Sequence, residues 1–346
     1  MATMADVARA AGVSRSTVSY VLSGTRPISD ETRQQVLRAM KELDYTPNAL
    51  AQGLAGKRTG IIALIFRIGE AGFNLTDFEY IQAASEQARS EGYHLLLWPY
   101  SVNDVEELRK VVSQGIVEGV VLMEVRTVDE RVSFLLDAHL PFTTIGRTGG
   151  LQSQAFVDAD FEATANMALE YALGLGHTEL AYLTRSQEEL DAGHGPMVRM
   201  HDAARTAAEA RGVRMPVYTV SPTFNDGWNA FDKIREKSPR MTALLTFNEP
   251  AVPGFVAAAA HHGLRIPRHL SLIGLNTSED GSRTSHPNLT SFSPNHSELA
   301  QLAVSYLIRR LRGGDPATLQ KLLKPELTER GSADRVPAEP VSSRNT

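Results

Sequence analysis

Cysteine is missing from all 346 residues. Its absence excludes disulfides, thiolate metal centres and cysteine nucleophiles, and it accords with a reducing compartment. Long hydrophobic runs are missing too. The longest apolar stretches, such as Ile61–Phe66 and Val252–Ala260, fall short of the roughly 20 residues that span a bilayer. No basic segment followed by an apolar core opens the chain, so no secretory signal is expected and the cytoplasm is the expected location. Catalytic signatures are absent as well: no Gly-x-Ser-x-Gly elbow, no His-Glu-x-x-His, no Walker loop and no Gly-x-Gly-x-x-Gly after a strand. The stretch from Gly53 to Thr59 approaches a phosphate-binding loop but fails it, because the first glycine is too close and Arg58 follows Lys57. A non-enzymatic protein with no cofactor and no metal is expected.

What is present is a division of charge. Residues 1–58 hold 8 Lys/Arg against 5 Asp/Glu, a net of +3, whereas the remainder holds 27 against 35, a net of −8. A basic head on an acidic body suits a head that meets a polyanion. The length is enough for two or three domains.

The head reads as three helices. Thr3 and Asp6 have capping-box spacing before a helix over Met4–Ala10, and Gly12 breaks it. Ser14 suits the N-cap of a second helix over Arg15–Leu22, and Ser29 that of a third reaching Leu43, with Asp30 and Glu31 in its first turn. Val7, Ala8, Ala11, Val13, Val18 and Val21 are spaced to bury one face of the first pair, completed by Val36, Leu37, Met40 and Leu43. Two short helices about a tight glycine turn form a helix-turn-helix, whose second helix presents its N-terminal residues to base edges in the major groove. The candidate DNA contacts are Ser14, Arg15, Ser16, Thr17, Ser19 and Tyr20. A three-helix protein-binding module is the alternative.

Next comes a segment, residues 47–58, in which Pro47 suits a first helical turn while Gly53 and Gly56 weaken the helix. From Gly60 short apolar runs alternate with helical patterns. The expected strands are Ile61–Phe66, His94–Trp98, Gly119–Met123, Phe142–Ile145, Leu180–Thr184, Val217–Val220, Ala243–Phe247 and Leu270–Gly274. Helices such as Asp77–Ser90, Thr164–Leu173 and Pro250–His262 lie between them. Such alternation implies parallel sheets, and there are too many strands for one small sheet.

The run Asp6-Val7-Ala8-x-x-Ala11-Gly12-Val13-Ser14-x-x-Thr17-Val18-Ser19, with Thr32-Arg33, Tyr45-x-Pro47-Asn48 and Leu54, resembles the headpiece of the lactose-repressor (LacI/GalR) family. Leu173-x-Leu175-Gly176-His177, Asn248-x-x-Ala251, Gly263-Leu264-x-Ile266-Pro267 and Pro287-x-Leu289-Thr290 resemble its sensor core. The resemblance implies an all-α helix-turn-helix headpiece (1–46), a hinge helix (47–58) and a two-lobed, doubly wound α/β core like periplasmic sugar-binding proteins (59–332). Residues 333–346 read as a disordered tail. Three crossings between lobes are implied, with a first lobe near 60–158 plus 293–318 and a second near 159–290 plus a strand at Leu322–Leu327. Asn48 and Leu54 join the candidate DNA contacts, Leu54 as the family's minor-groove wedge. Linker packing is its alternative. The implied partners are double-stranded operator DNA, a second copy in a homodimer or higher assembly, and a small effector between the lobes.

The family's effector contacts map onto Asp160, Arg199, Trp228, Asn248 and Asn276, and Phe73 follows the first strand. A guanidinium such as that of Arg199 suits paired oxygens. Each has a plainer alternative: Arg199 on a helix surface, Trp228 and Phe73 in a lobe core, Asp158-x-Asp160 a helix cap rather than a metal site. His201-Asp202 and His261-His262 read as helix surface. Phe161 stands where the family has asparagine, and Asn276 and Glu249 where it has aspartates. A sugar is the leading expectation for the effector, with a nucleobase or another small metabolite as the alternative.

Overall fold

The computed structural model describes residues 2–23, 26–45, 59–68, 75–100, 105–149 and 154–336. By its internal contacts the chain divides into a unit built on residues 1–61 and a larger unit holding most of the rest.

The small unit carries α1 (Met4–Ala10), α2 (Arg15–Ser23) and α3 (Asp30–Glu42). The capping box forms: the Asp6 amide donates to Thr3 Oγ1 at 3.3 Å and the Thr3 amide to Asp6 Oδ2 at 2.9 Å. These bonds hold the Asp6 carboxyl below its ordinary value. Gly12 takes φ +66°, the left-handed turn that lets α2 fold back on α1. Val7, Ala8, Val18, Val21, Val36 and Ala39 close the core, with Ala11, Val13, Met40 and Leu43 packed around it. Leu37, expected inside, is 50% exposed. Positions 36, 39/40 and 43 already form the inward stripe of a 3.6-residue helix, and 37 lies about 100° round from it.

The large unit is two lobes. In chain order its elements are β1 (Ile61–Arg67), α4 (Leu75–Ser90), β2 (His94–Tyr100), α5 (Val105–Ser113), β3 (Gly119–Leu122), α6 (Glu130–Asp137), β4 (Phe142–Ile145) and β5 (Phe156–Ala159). Then follow α7 (Phe161–Gly174), β6 (Leu180–Thr184), α8 (Gln187–Asp191), α9 (Gly195–Ala210), β7 (Val217–Thr219), α10 (Phe224–Lys237), β8 (Ala243–Phe247), α11 (Val252–His261) and β9 (Ser271–Leu275). The last are β10 (Thr290–Ser293), α12 (His296–Leu311), β11 (Gln320–Leu323) and β12 (Glu326–Thr328).

The first sheet has the order β11-β5-β4-β3-β1-β2 and the second β12-β10-β9-β8-β6-β7. The pairs β1/β3, β3/β4, β4/β5 and β5/β11 are parallel, as are β6/β7, β6/β8, β8/β9 and β9/β10; β12 alone among these pairs antiparallel, with β10. Burial on both faces explains why the strands read as continuous apolar runs. In the first lobe α4 and α12 pack Ala83, Ala84, Ala88, Ala303 and Leu307 onto Ile62, Leu64 and Val121. In the second, α7 and α9 cover one face through Ala168, Leu169, Ala203 and Ala207, and α10 and α11 the other through Phe231, Ile234 and Phe255. The α10–α11 crossing depends on two glycines, since a Cβ on Gly227 would lie 1.9 Å from Ala251 O, and one on Gly254 1.9 Å from Phe224 O.

The chain crosses between lobes after β5, after β10 and after β11. The expected single strand at Leu322–Leu327 is two: β11 closes the first sheet and β12 the second. Pro325 separates them, because it has no N–H to donate to a ladder. Of the tail expected from 333, residues 333–336 are described and lie against the second lobe. Ala333 packs on the second lobe, Asp334 O accepts from Ser271 Oγ at 3.1 Å, and the Val336 amide donates to Leu175 O. Among the described residues no helix is long and apolar enough to cross a membrane.

Candidate DNA-reading helix and effector cleft

In the small unit Ser14 caps α2: its Oγ accepts from the Thr17 amide at 3.1 Å and hydrogen-bonds Ser16 Oγ and Thr17 Oγ1, each at 2.8 Å. Arg15 and Ser16 follow in the exposed first turn, while Thr17, Ser19 and Tyr20 are half-buried. Arg26, which the sequence reading passed over, sets its guanidinium 5.0 Å from the Tyr20 ring centroid. Asn48, Leu54 and the whole 47–58 segment, and Phe73 in the core, lie outside the described residues.

In the core both sheets have a switch point, where strands adjacent in space run off to opposite sides: β1/β3 in the first lobe and β6/β8 in the second. Open parallel sheets bind ligands outside the carboxyl ends of strands at such points. There the chain places Arg67 at the end of β1, Glu124 just after β3, Arg185 directly after β6 and Asn248 directly after β8. Glu189 accepts from Arg67 at 3.3 Å and from Arg185 at 2.8 Å on Oε1, so one carboxylate ties the first lobe to the second. Further ties flank it. Residues 125–127 meet 193–195 through Thr127 N to Gly193 O at 2.9 Å and Gly195 N to Val125 O at 3.0 Å. Thr76 Oγ1 donates to Glu249 Oε2 at 3.2 Å, and the Glu279 amide to Glu79 Oε1 at 3.0 Å.

Arg199 bridges the two lobes. Its Nη1 donates to Arg147 O at 2.7 Å, its Nε lies 3.2 Å from Asp158 Oδ2, and its guanidinium sits 5.5 Å from the Phe161 ring centroid. Arg147 Nε also donates to Asp158, at 3.0 Å. Burial raises the Asp158 carboxyl above its usual value against the pull of Arg199 and Arg147. Arg199 Nη2 is buried without a hydrogen-bond partner among the described residues. Asn248 is fully buried; Nδ2 donates to Thr184 O at 3.2 Å and Val220 O at 3.0 Å, and Oδ1 has no partner there. Asn276 takes φ +55°, a conformation asparagine tolerates, and its buried Oδ1 is likewise unpaired.

The other expected contacts are held by the scaffold. Asp160 caps α7, accepting from the Ala163 amide at 2.9 Å. Trp228 packs in the α10–α11 layer, with Phe224 and His261 as ring neighbours at 6.4 and 5.5 Å. Glu249 turns toward Ser278, whose amide and hydroxyl donate to it at 2.8 and 3.1 Å. Asp158 and Asp160 thus have separate duties, and no group of acids and histidines able to hold a metal occurs among the described residues. His261 and His262 are exposed, whereas His201 is half-buried.

Sequence reasoning missed Arg67, Glu124, Arg185, Glu189 and His194. Arg67, Glu124 and Arg185 had a signal in their position, at or within two residues of the end of a buried parallel strand, where such sheets bind ligands; Glu189 in α8 and His194 at the start of α9 had none.

A helix-turn-helix unit with an exposed first turn, carried by a core of two doubly wound lobes, defines a DNA-binding transcriptional regulator rather than an enzyme. Residues 3–48 match the family profile described as bacterial regulatory proteins, lacI family, and residues 169–333 that of the periplasmic binding protein-like domain. The chain is 30% identical over 340 residues to the HTH-type transcriptional repressor PurR of Erwinia tasmaniensis, covering 96% of this chain and 97% of that one. PurR of Mannheimia succiniciproducens is 28% identical over 343 residues, covering 97% and 100%. Among solved structures, the lac repressor dimer bound to operator and the anti-inducer ONPF superposes with TM-score 0.80 at 22% identity, covering 96% of this chain and 99% of that one. The CelR–cellobiose complex gives 0.71 at 23%, covering 96% and 100%. The chain belongs to the lacI family of bacterial regulatory proteins and is a DNA-binding transcriptional repressor.

Proposed function

We propose that this repressor reads operator DNA as a homodimer through α2 and is controlled by a nucleobase-type heterocycle held between the core lobes. The observation that carries the effector reading is the set of buried, uncommitted polar atoms at the strand ends: Arg185 Nε, Arg199 Nη2, Asn248 Oδ1 and Asn276 Oδ1. They are two donors and two acceptors, with the Arg199 guanidinium 5.5 Å from the Phe161 ring centroid, and a flat heterocycle with polar edges suits that mixture. The sugar expectation has less support. Cellobiose and ONPF belong to neighbours at 23% and 22% identity, which share the fold alone, whereas the relatives named PurR match nearly end to end.

For DNA, Ser14, Arg15, Ser16, Thr17, Ser19 and Tyr20 form the reading face, with Arg15 suited to guanine O6 and N7. Asn48 and Leu54 remain proposed hinge contacts. A second copy suits the exposed Phe78 on α4, Leu97 on β2 at the end of the first sheet and Phe224 on α10, at 57%, 42% and 49%, because an edge strand invites pairing and two-fold symmetry doubles the operator contacts. Regulation requires that the effector bind two core conformations unequally. The closed-cleft ties from Arg67 to Glu189 and from Arg199 to Arg147 belong to one of them.

The test is a thermal-shift screen of the purified protein against nucleobases, nucleosides and sugars, repeated on Arg199→Ala, since a ligand stabilises the state it binds. A nucleobase is expected to raise the wild-type melting temperature. Arg199→Ala is expected to bind operator normally and lose that response. Stabilisation by a sugar instead, or a full ligand response in Arg199→Ala, overturns the reading.

A further inference from the structure

We propose that Glu124 is a specificity-determining residue of the cleft, pairing its carboxyl with a heterocycle edge that sets a hydrogen-bond donor beside an acceptor, as a lactam, –NH–C(=O)–, or an amidine, –N=C–NH2, does. The inference rests on the nucleobase reading above and deepens it.

Three observations converge on this side chain. The first is placement. Glu124 follows β3, at the β1/β3 switch point, and faces the second lobe: its Oε1 lies 3.8 Å from His194 Nε2 at the start of α9. The side chain is 22% exposed, so it is reachable from the cleft while largely dry. The second is a held backbone. Glu124 has φ +49°, a left-handed conformation costly for a side chain that is not Gly, Asn or Asp. It is held there by Arg131, whose Nη2 donates to Glu124 O at 3.2 Å. Arg131 is in turn fixed by Asp129 through Nε at 2.9 Å and Nη2 at 2.6 Å, both side chains being buried. Strain of this kind persists where the surroundings over-determine it, as at ligand sites. The third is unspent bonding capacity around it: Glu189 Oε2, Arg185 Nε and His194 Nδ1 are all buried without hydrogen-bond partners among the described residues.

The chemistry of the pairing follows from the charge environment. Desolvation dominates and pushes the carboxyl up to about 7. Arg185 and Arg67 pull it down, and Asp77 and Glu189 push it up. His194 is held well below its ordinary value by burial and by the same arginines, so it stays neutral and supplies no countercharge. Near neutral pH Glu124 therefore accepts a proton readily. A neutral carboxylic acid offers one O–H donor and one carbonyl acceptor side by side. A lactam edge offers the complementary N–H and C=O, so the two close a paired ring of hydrogen bonds. Sugar hydroxyls have no fixed donor–acceptor order, whereas the amidine edge of adenine, a ring-nitrogen acceptor beside an amino donor, pairs with the same acid in the reverse sense.

The experiment is calorimetric titration of the full chain with hypoxanthine, uracil and adenine at pH 6, 7 and 8, on wild type, Glu124→Gln and Glu124→Ala. Wild type is expected to bind at least one of the three bases, with affinity falling up to tenfold per pH unit above pH 7 as one proton must be taken up. Glu124→Gln keeps a donor and an acceptor and is expected to bind within threefold of wild type at pH 6, with a flat pH profile. Glu124→Ala is expected to lose tenfold or more. A base bound equally by wild type and Glu124→Ala overturns the assignment of Glu124 and leaves the nucleobase reading intact. So does Glu124→Gln failing at pH 6 as badly as Glu124→Ala. Wild type binding none of the three bases at any pH overturns both.

Discussion

Replacing Glu124 by glutamine should make the ligand-free protein more stable, and only above a definite pH. Burial raises the carboxyl from 4.5 to about 7, and each pKa unit corresponds to about 1.4 kcal/mol. Between those two values the folded chain keeps a proton that the unfolded chain releases, so rising pH favours the unfolded state across that window. Below about pH 4.5 both states are protonated and the residue carries no cost. Above about 7 both are ionised, and the folded state bears the whole penalty of about 3 kcal/mol. Glutamine has the same shape and cannot ionise. Glu124→Gln should therefore match wild type at pH 4 and exceed it by about 3 kcal/mol at pH 8, roughly 6 °C in melting temperature for a core of this size. Thermal unfolding followed by circular dichroism from pH 4 to 8.5 measures this. A constant offset across the range, or a variant less stable than wild type at pH 8, would refute the reasoning.

Three other perturbations test neighbouring parts of the account. Asp129→Ala strands the buried Arg131 guanidinium, which is 2% exposed, and should cost about 3–5 kcal/mol in urea unfolding; a loss under 1 kcal/mol contradicts the clamp on Glu124. Gly227→Ala drives a methyl into Ala251 O and should destabilise the second lobe by at least about 1–3 kcal/mol, so an unchanged melting temperature would mean that α10 and α11 cross more loosely than described. Arg15→Ala should cost about 1–3 kcal/mol on the preferred operator and relax base preference at one position. Selection from randomised operators checks it, and an equal loss on every sequence would make Arg15 a phosphate contact.

The headpiece was legible because its punctuation is local. Thr3, Gly12, Ser14 and Ser29 each act within four residues of themselves. The long apolar strands were legible for the same reason, being buried on both faces. What failed to show were β5 and β10. Each is four residues long, and each spends buried positions on polar side chains, Asp158 in one and Ser291 in the other. Those polar residues have partners that arrive from far away in sequence: Arg199 for Asp158, beside the nearer Arg147, and Arg330 Nη1 for Ser291 Oγ at 2.9 Å. The candidate site was half legible. Arg199, Asn248 and Asn276 came from resemblance; Asn248 and Asn276 directly follow β8 and β9, and Arg199 reaches Asp158 of the first lobe. Glu124, Glu189 and His194 came from neither pattern nor resemblance, because a charged residue after an apolar run looks the same whether it meets solvent or an opposing lobe.

The three crossings between lobes have a consequence for synthesis. The headpiece is complete once residue 45 has left the ribosome, and all its core contacts lie within that stretch. Neither sheet of the sensor is complete until its last strand emerges, β11 at residues 320–323 and β12 at 326–328. At about 5–20 residues per second, tens of seconds separate the two events on every chain. During that interval a folded helix-turn-helix is tethered to a sensor that lacks an edge strand in both lobes. A chain still being made thus carries a complete helix-turn-helix before either lobe of its core has its last strand.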